Sequence, residues 1–441
     1  MTINTFGKGA TLHTKRGGAP IEVREHLGTG GQGEVYRVDV DRGRTMAMKW
    51  YLPTAVSRQQ YRRLQRLIDR GAPSPDFLWP EEMVVSSESK QGFGYLMELR
   101  PRGFFSIVEL MAGRVNPSFR TVTTAAMNLA NAFLSLHSRG LCYGDISFGN
   151  IFFHPRRGEI RICDNDNVIV DGSDDITVLG TPRFMAPEIV CGESLPNSDT
   201  DRYSLAVLLF YLFMVHHPLE GRREWEIHCL DLPAMERLYG DDPLFIFDPD
   251  DHSNRPMKGH QDAVKLYWEL YPQFLRDLFT TAFTRGLRHP EEGRVRESQW
   301  SKAIGRLQDS IMNCECGAEV FYDVHYLRKS GGVSAPCWSC GQNPQLSPRM
   351  RIGDAIVVMT EETTLLKRHL CRFAKEPGQE RPLAVCEHAG DGTLALVNKT
   401  SESWSVTTSG HSTRSIEPGK GIALRDGLEI HFGEVRGRVR M

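Results

Sequence analysis

Apolar and polar residues alternate between Ile21 and Tyr51 around a central glycine cluster, and this two-residue period predicts a strand, a glycine turn and a second strand. From Val56 to Arg70 the apolar positions recur at helical spacing within a basic segment. Short strand-like runs follow at Met83 to Ser86 and Phe93 to Leu99, and helical patterns then dominate as far as Met312. The run Leu205 to Val215 is apolar throughout but only eleven residues long, so it predicts a buried core helix and not a membrane span. Between Ile311 and Pro348 the composition turns to Cys, Gly, Ser and Pro, too poor in aliphatic residues to build an apolar core. Strand-like alternation returns from Met350 to Met441, with turn signals and with Trp404 placed to face a core. The chain reads as a β-rich head on a helical body, an α+β arrangement. A small module held by something other than burial comes next, and then an all-β domain.

A length of 441 residues is two to three times that of a common domain, which agrees with several units. The 53 basic residues nearly balance the 55 acidic ones and are spread along the chain, so nucleic acid is not an expected partner. The first 20 residues carry two basic clusters without the apolar stretch of a signal peptide, which points to the cytoplasm and away from membranes. Cysteine usage agrees. Cys142, Cys163, Cys191, Cys229, Cys371 and Cys386 stand singly among apolar neighbours as buried thiols, whereas the other four are paired at close spacing.

The glycine cluster, LGTGGQGEVYRV, sets Gly28, Gly30 and Gly33 in a G-x-G-x-x-G pattern, with Thr29, Gly31 and Gln32 between them and Val35 two residues on. Backbone that must approach phosphates closely needs such glycines, although dinucleotide-binding folds open with the same pattern. In those folds a helix follows. Here a second strand follows and carries Ala47, Met48 and Lys49, which makes the lysine a phosphate clamp. Asp145 and Asn150 stand five apart in a loop bounded by apolar strands, a spacing that suits an acid for a substrate hydroxyl and an amide for a metal ion. Asp164-Asn165-Asp166 follows the strand-like EIRIC, where a carboxylate can hold the other side of a magnesium ion. GTPRFMAPEIV then supplies Ala186-Pro187-Glu188, and Asp201 opens the apolar helix.

The glycine loop, Lys49, Asp145, Asn150, Asp164, Ala186-Pro187-Glu188 and Asp201, in this order and at these separations, resemble a eukaryotic-type protein kinase across residues 21–312. The resemblance implies a bilobal fold, with an N-lobe over 21–99 and a C-lobe over 100–312, after an N-terminal extension of residues 1–20. It implies ATP and Mg2+ as cofactors, with Lys49 on the α and β phosphates, Asp145 as catalytic base, and Asn150 and Asp164 on magnesium. Met97 would be the gatekeeper and Glu98 and Leu99 the adenine hinge, with Gly28 to Gly33, Val35 and Ala47 covering the nucleotide. Glu188 would pair with Arg294, and Asp201 would brace the catalytic loop.

Departures from that pattern matter equally. Such kinases present a helix glutamate to the strand lysine, yet Thr54 to Ser74 contains no Glu, only Gln59, Gln60, Gln65 and Asp69. Two alternatives follow: a glutamine substitutes, or Lys49 is held differently. His-Arg-Asp reads Tyr143-Gly144-Asp145, so control by phosphate on Thr177 or Thr181 is not expected, because no arginine receives it. Ser147 replaces the lysine that neutralises the transferred phosphate, and Asp166 is either a metal-touching carboxylate or a solvated turn residue.

Cys314-x-Cys316 and Cys337-x-x-Cys340, twenty residues apart and each followed by glycine, fit a tetrahedral thiolate site for structural Zn2+. The module, residues 313–348, resembles a zinc ribbon, and the all-β sandwich over 349–441 resembles a forkhead-associated domain. Of the phosphothreonine-reading loops of that family only Arg351-Ile352-Gly353 and Lys367-Arg368-His369 have counterparts. Kinase, ribbon and sandwich in this order resemble the bacterial kinase component of the tellurite-resistance-associated phosphorylation triad. That resemblance implies a metal-dependent protein phosphatase and a von Willebrand A-type domain protein as partners, beside a protein substrate. The expected activity is an ATP- and Mg2+-dependent protein Ser/Thr kinase; the rivals are a pseudokinase scaffold and a small-molecule phosphotransferase.

Overall fold

The fold is described from a computed structural model covering residues 5–86, 92–173, 178–370, 381–389, 392–407 and 413–441. The chain divides into two units, one of residues 1–117, 128–260 and 280–298, the other of residues 118–127, 261–279 and 299–441.

The first unit begins with six antiparallel strands closed into a barrel. They are β1 (Thr11–Thr14), β2 (Pro20–Thr29), β3 (Gly33–Val40), β4 (Arg44–Tyr51), β5 (Glu82–Val85) and β6 (Phe93–Met97), in the order β1-β2-β3-β4-β6-β5. Alternation along β4 decides what each face does. Met46, Met48 and Trp50 join the barrel interior with Ile21, Val23, Tyr36, Val38 and Leu96. Ala47 and Tyr51 turn the other way, toward Tyr95 and Met97. The register places Val35 opposite Lys49, and Ala47 opposite Met97, so these four side chains share one face. Residues ahead of position 21 contribute to this barrel. Strand β1 closes it against β5, and the ring of Phe6 meets Trp50 and Tyr36 edge-on.

Helix α1 (Arg58–Arg70) starts at Ser57, whose hydroxyl accepts from Gln60 N, and stops at Gly71, whose φ of 70° is open to glycine. It buries Gln60, Arg63, Leu64 and Leu67. Helix α2 (Phe119–Ser138) precedes the loop of Asp145 and Asn150. The strands β7 (Ile151–Phe153) and β8 (Ile160–Ile162) then pair as a hairpin that delivers Asp164. Helix α3 (Ser198–Met214) is the expected core helix, capped by Asn197 and buried on all sides from Tyr203 to Met214. No described helix is long and apolar enough to cross a membrane.

In the second unit, the last helical turn pattern ends earlier than expected. Helix α4 (Glu297–Gln308) stops at Gln308, and Ile311–Asn313 forms a strand, β9, paired with β10 (Glu319–Phe321). Two apolar residues, Ile311 and Met312, have no period of their own, so the sequence could not separate strand from helix there. Beyond the cysteine module, a six-stranded and a four-stranded antiparallel sheet share one apolar core that contains Met350, Leu396, Val406, Ile430, Val439 and the buried Trp404. Arg368 and His369 both reach Asp309 Oδ1 at 3.0 Å, so two residues of the Lys367-Arg368-His369 stretch serve packing inside this unit.

The cysteines depart in part from expectation. Cys142 and Cys386 are buried, but Cys163 and Cys191 are half-buried and Cys229 is exposed, because apolar neighbours in sequence do not ensure a core position in a loop. Cys371 lies outside the described residues, as does Thr177.

Candidate active site and cysteine cluster

Gly28, Thr29 and Gly33 lie on β2 and β3, and Gly30, Gly31 and Gln32 form the turn between them, with Gly30 N donating to Gly33 O at 2.8 Å. A Cβ on Gly33 would stand 2.5 Å from Trp50 O, so this glycine serves the close approach of β3 to β4. Gly28 and Gly31 would meet nothing within 4 Å, which leaves the backbone of the hairpin free to approach a ligand. On the Lys49 face of the barrel Ala47 and Met97 are buried in one apolar cluster with Val35 and Leu99 packed against it, while Glu98 is exposed.

Lys49 is 4 % exposed and makes no contact with a glutamate on α1. Its Nζ donates to Asp164 Oδ1 at 2.8 Å and to Asp166 Oδ1 and Oδ2 at 3.0 and 3.1 Å. Of the two alternatives for the lysine, the second holds. Both alternatives for Asp166 are corrected: its side chain is fully buried, and its oxygens also accept from Tyr51 Oη at 2.5 Å and Tyr95 Oη at 2.9 Å. Burial would lower the Lys49 pKa, but the carboxylates of Asp166 and Asp164 override it and hold it up to about 12. Burial likewise opposes charge on Asp166, and Lys49 with the two phenols holds its carboxyl below the ordinary value.

Sequence reasoning missed this partner. Tyr51 and Tyr95 could have been found, since alternation puts Tyr51 on the Lys49 face and the β4–β6 register sets Tyr95 opposite Lys49. Asp166 lies 117 residues from Lys49, and no local pattern announces such a pairing.

Asp164 has left-handed backbone, φ 55° and ψ 39°, a strained conformation for a non-glycine residue of the kind that collects at functional sites. Asn165, fully buried, donates to Leu78 O at 2.8 Å and Ile162 O at 2.9 Å and so fixes the segment. Asp145 accepts from Thr181 Oγ1 at 3.0 Å, and Asn150 Nδ2 donates to Asp145 O at 2.9 Å. That leaves the Asn150 amide oxygen as the atom a cation would use, alongside the partly exposed Asp164 carboxylate. Burial raises the Asp145 pKa, with the Thr181 hydrogen bond opposing it and Asp164 adding to it.

The scaffold around Asp145 is braced as expected. Asp201 accepts from Tyr143 N at 2.5 Å and Gly144 N at 2.9 Å, and Arg294 pairs with Glu188 at 2.7 Å. His137 Nε2 lies 3.0 Å from Asp201 and Nδ1 lies 2.6 Å from Glu297, so both ring nitrogens face carboxylates and both donate. Burial would lower the His137 pKa, but the two acids raise it to about 9; burial would raise that of Glu297, but His137 and Arg202 bring it to about 2. The histidine's stabilisation is complete below its ordinary pKa of 6.5 and is lost as pH rises through about 9. The glutamate's is present above 4.5 and is lost only toward about 2. Stability is thus expected to fall between pH 6.5 and about 9 by up to about 3 kcal/mol, and His137→Gln should flatten that slope. Denaturation midpoints across this interval check it; a wild type already flat there contradicts a charged histidine.

In the second unit the Sγ atoms of Cys314, Cys316, Cys337 and Cys340 all lie within 4.8 Å of one another. Cys314–Cys340 and Cys316–Cys337 are each 3.7 Å apart. A tetrahedron of thiolates about 2.3 Å from a zinc ion has edges of about 3.8 Å, so the four sulfurs fit that ion.

With a glycine hairpin, a buried lysine facing two carboxylates and a braced Asp145 loop in one unit, the chain belongs to the protein kinase domain family, whose profile matches residues 21–270. Among curated proteins it is 27% identical over 206 residues to the "Cell cycle serine/threonine-protein kinase CDC5/MSD2" of Saccharomyces cerevisiae, covering 44% of this chain and 28% of that protein. It is 25% identical to the "Probable cell cycle serine/threonine-protein kinase CDC5 homolog" of Encephalitozoon cuniculi, covering 52% of this chain and 48% of that protein. The chain thus spans less than half the length of these relatives. The PknI kinase domain of Mycobacterium tuberculosis superposes with a TM-score of 0.43 at 19% identity, covering 68% of this chain and 98% of that one.

Proposed function

We propose that the protein transfers the γ-phosphate of ATP to Ser or Thr hydroxyls of a protein substrate, with Asp145 as the base and Lys49 as the phosphate clamp. The observation that carries this reading is the hydrogen bond from Thr181 to Asp145, because it ties the GTPRFMAPE segment, the platform for a peptide in kinases of this type, to the base itself. The glycine hairpin, Val35, Ala47, Met97, Glu98 and Leu99 would hold the nucleotide, and Asn150 and Asp164 would hold Mg2+. That ion, when bound, neutralises phosphate charge. Burial raises the Asp145 pKa, which makes the carboxylate a stronger base than an exposed one.

Ser147 in place of a lysine is the feature that favours a nucleotide-binding scaffold. The missing helix glutamate no longer does, since Lys49 has a carboxylate partner. Incubation with γ-labelled ATP, magnesium and a generic acceptor protein, followed by acid hydrolysis, should yield phosphoserine or phosphothreonine. Label found only on added small molecules supports the small-molecule phosphotransferase instead, and nucleotide binding without transfer supports the scaffold.

The cysteine module is proposed to hold structural Zn2+ as a ribbon, with all four coordination positions filled by thiolates and none left for chemistry. With the forkhead-associated-like sandwich it would recruit substrate or regulator. The phosphatase and the von Willebrand A-type protein are the partners that the sequence resemblance implies. A cytoplasmic setting fits the nine free cysteines among the described residues.

A further inference from the structure

We propose that Asp166 is the positioning residue for the Lys49 ammonium, and that the phosphate clamp is thereby assembled without a carboxylate from helix α1. The inference rests on the kinase reading above. The acid of α1, Asp69, is exposed and bonded to Arg16 at 2.5 Å, away from Lys49. What α1 supplies is Gln60, whose Nε2 donates to Tyr51 Oη at 2.9 Å; Tyr51 in turn donates to Asp166. The helix therefore touches the clamp through a neutral hydrogen bond at one remove.

The charge balance explains the neutral side chain. The groups around Lys49 are Asp164, Asp166, Tyr51, Tyr95 and, behind Tyr51, Gln60. Two carboxylates already face one ammonium, and a third at position 60 would repel the buried Asp166 in a low-dielectric site. Asp166 is held in place by its own segment: Asn165 is anchored to Leu78 O and Ile162 O, and the left-handed turn at Asp164 aims the two acids at Lys49 from one side. Counter-ion and proposed magnesium ligand thus come from residues two apart, so the clamp forms whenever this segment is in place. Moving α1 would cost the Gln60–Tyr51 hydrogen bond and the packing of Leu64 and Leu67, but would leave the ion pair intact. An activating partner would then gain little by displacing α1.

The test is a double-mutant cycle on the full chain, combining Asp166→Asn with Lys49→Met, with Gln60→Ala as a third variant. Readouts are kcat and KM for ATP, affinity for a fluorescent ATP analogue with magnesium, and the thermal midpoint of each protein. Asp166→Asn is expected to lower phosphoryl transfer about ten- to a hundredfold, the range for losing a charged hydrogen-bond partner. In the Lys49→Met background the same change should cost no more than about threefold, because a residue acting through the lysine has nothing left to act on. Gln60→Ala should cost no more than about tenfold, as a neutral hydrogen bond does. Full additivity in the cycle, or a Gln60→Ala loss equal to that of Lys49→Met, overturns the proposal. Should Asp166→Asn fail to fold, the Gln60→Ala arm decides by the same limits. Should the wild type bind nucleotide without transferring phosphate, the kinase reading fails, and the cycle read in nucleotide affinity still decides the role of Asp166.

Discussion

Lys49→Met and Asp145→Ala are each expected to reduce phosphoryl transfer at least roughly a hundredfold, because the proposed clamp and base would act on charge and protons that develop in the transition state. The two should fail differently. Lys49 is buried against two carboxylates, so its removal leaves Asp164 and Asp166 close together without a cation, and thermal stability should fall as well. Asp145 is held by Thr181 and Asn150 at a more open position, and Asp145→Ala should unfold near the wild-type midpoint. Steady-state transfer rates with melting curves on the same preparations check both statements. Turnover near wild type in a folded Asp145→Ala protein removes the aspartate from the mechanism.

Cys337→Ser should release about one zinc ion per chain and open the module to protease between Asn313 and Pro348. In the proposed zinc site folding would be coupled to the ion: structural zinc in small peptides is worth roughly 10 to 16 kcal/mol of binding free energy. The apolar cluster at the cysteines contains only Met312, Val320, Val358, Cys314 and Cys337 as buried members, far too little to replace that term. The barrel and helices of the first unit have their own core, so transfer to a generic acceptor should survive while transfer to a physiological partner falls. Metal analysis and limited proteolysis decide it. A zinc-free wild type with the same protease pattern would mean that the cysteines are spaced like a metal site without being one.

Local chemistry was legible in the sequence wherever a residue's role depends on its neighbours along the chain. The alternation around Lys49, the strand before Asp164 and the buried helix after Asp201 appear in the structure, with Lys49 on a third strand, β4, where a second was expected. The Glu188–Arg294 pair at 2.7 Å joins residues 106 apart and was implied by the kinase resemblance, not by local pattern. Three features were not legible, each for a physical reason. Strand β1 has four residues, too few to display a period, and Phe6 reaches the core from a segment whose composition resembles a tail. The strand at Ile311–Asn313 follows a helix so closely that its apolar residues extend the helical pattern. The pairing of Asp166 with Lys49 depends on how the segment after β8 meets β4, and a buried carboxylate next to a second acid looks in sequence like a solvated turn.

Transfer of phosphate from ATP to protein hydroxyls by the chain's own residues is the activity proposed. The most direct measurement is incubation with γ-labelled ATP and magnesium, comparing the wild type with Asp164→Ala at matched nucleotide occupancy. Label on Ser or Thr of the protein itself or of an acceptor protein is expected in the wild type, with its loss in the variant. Equal labelling of both samples, or none in either despite bound nucleotide, contradicts it.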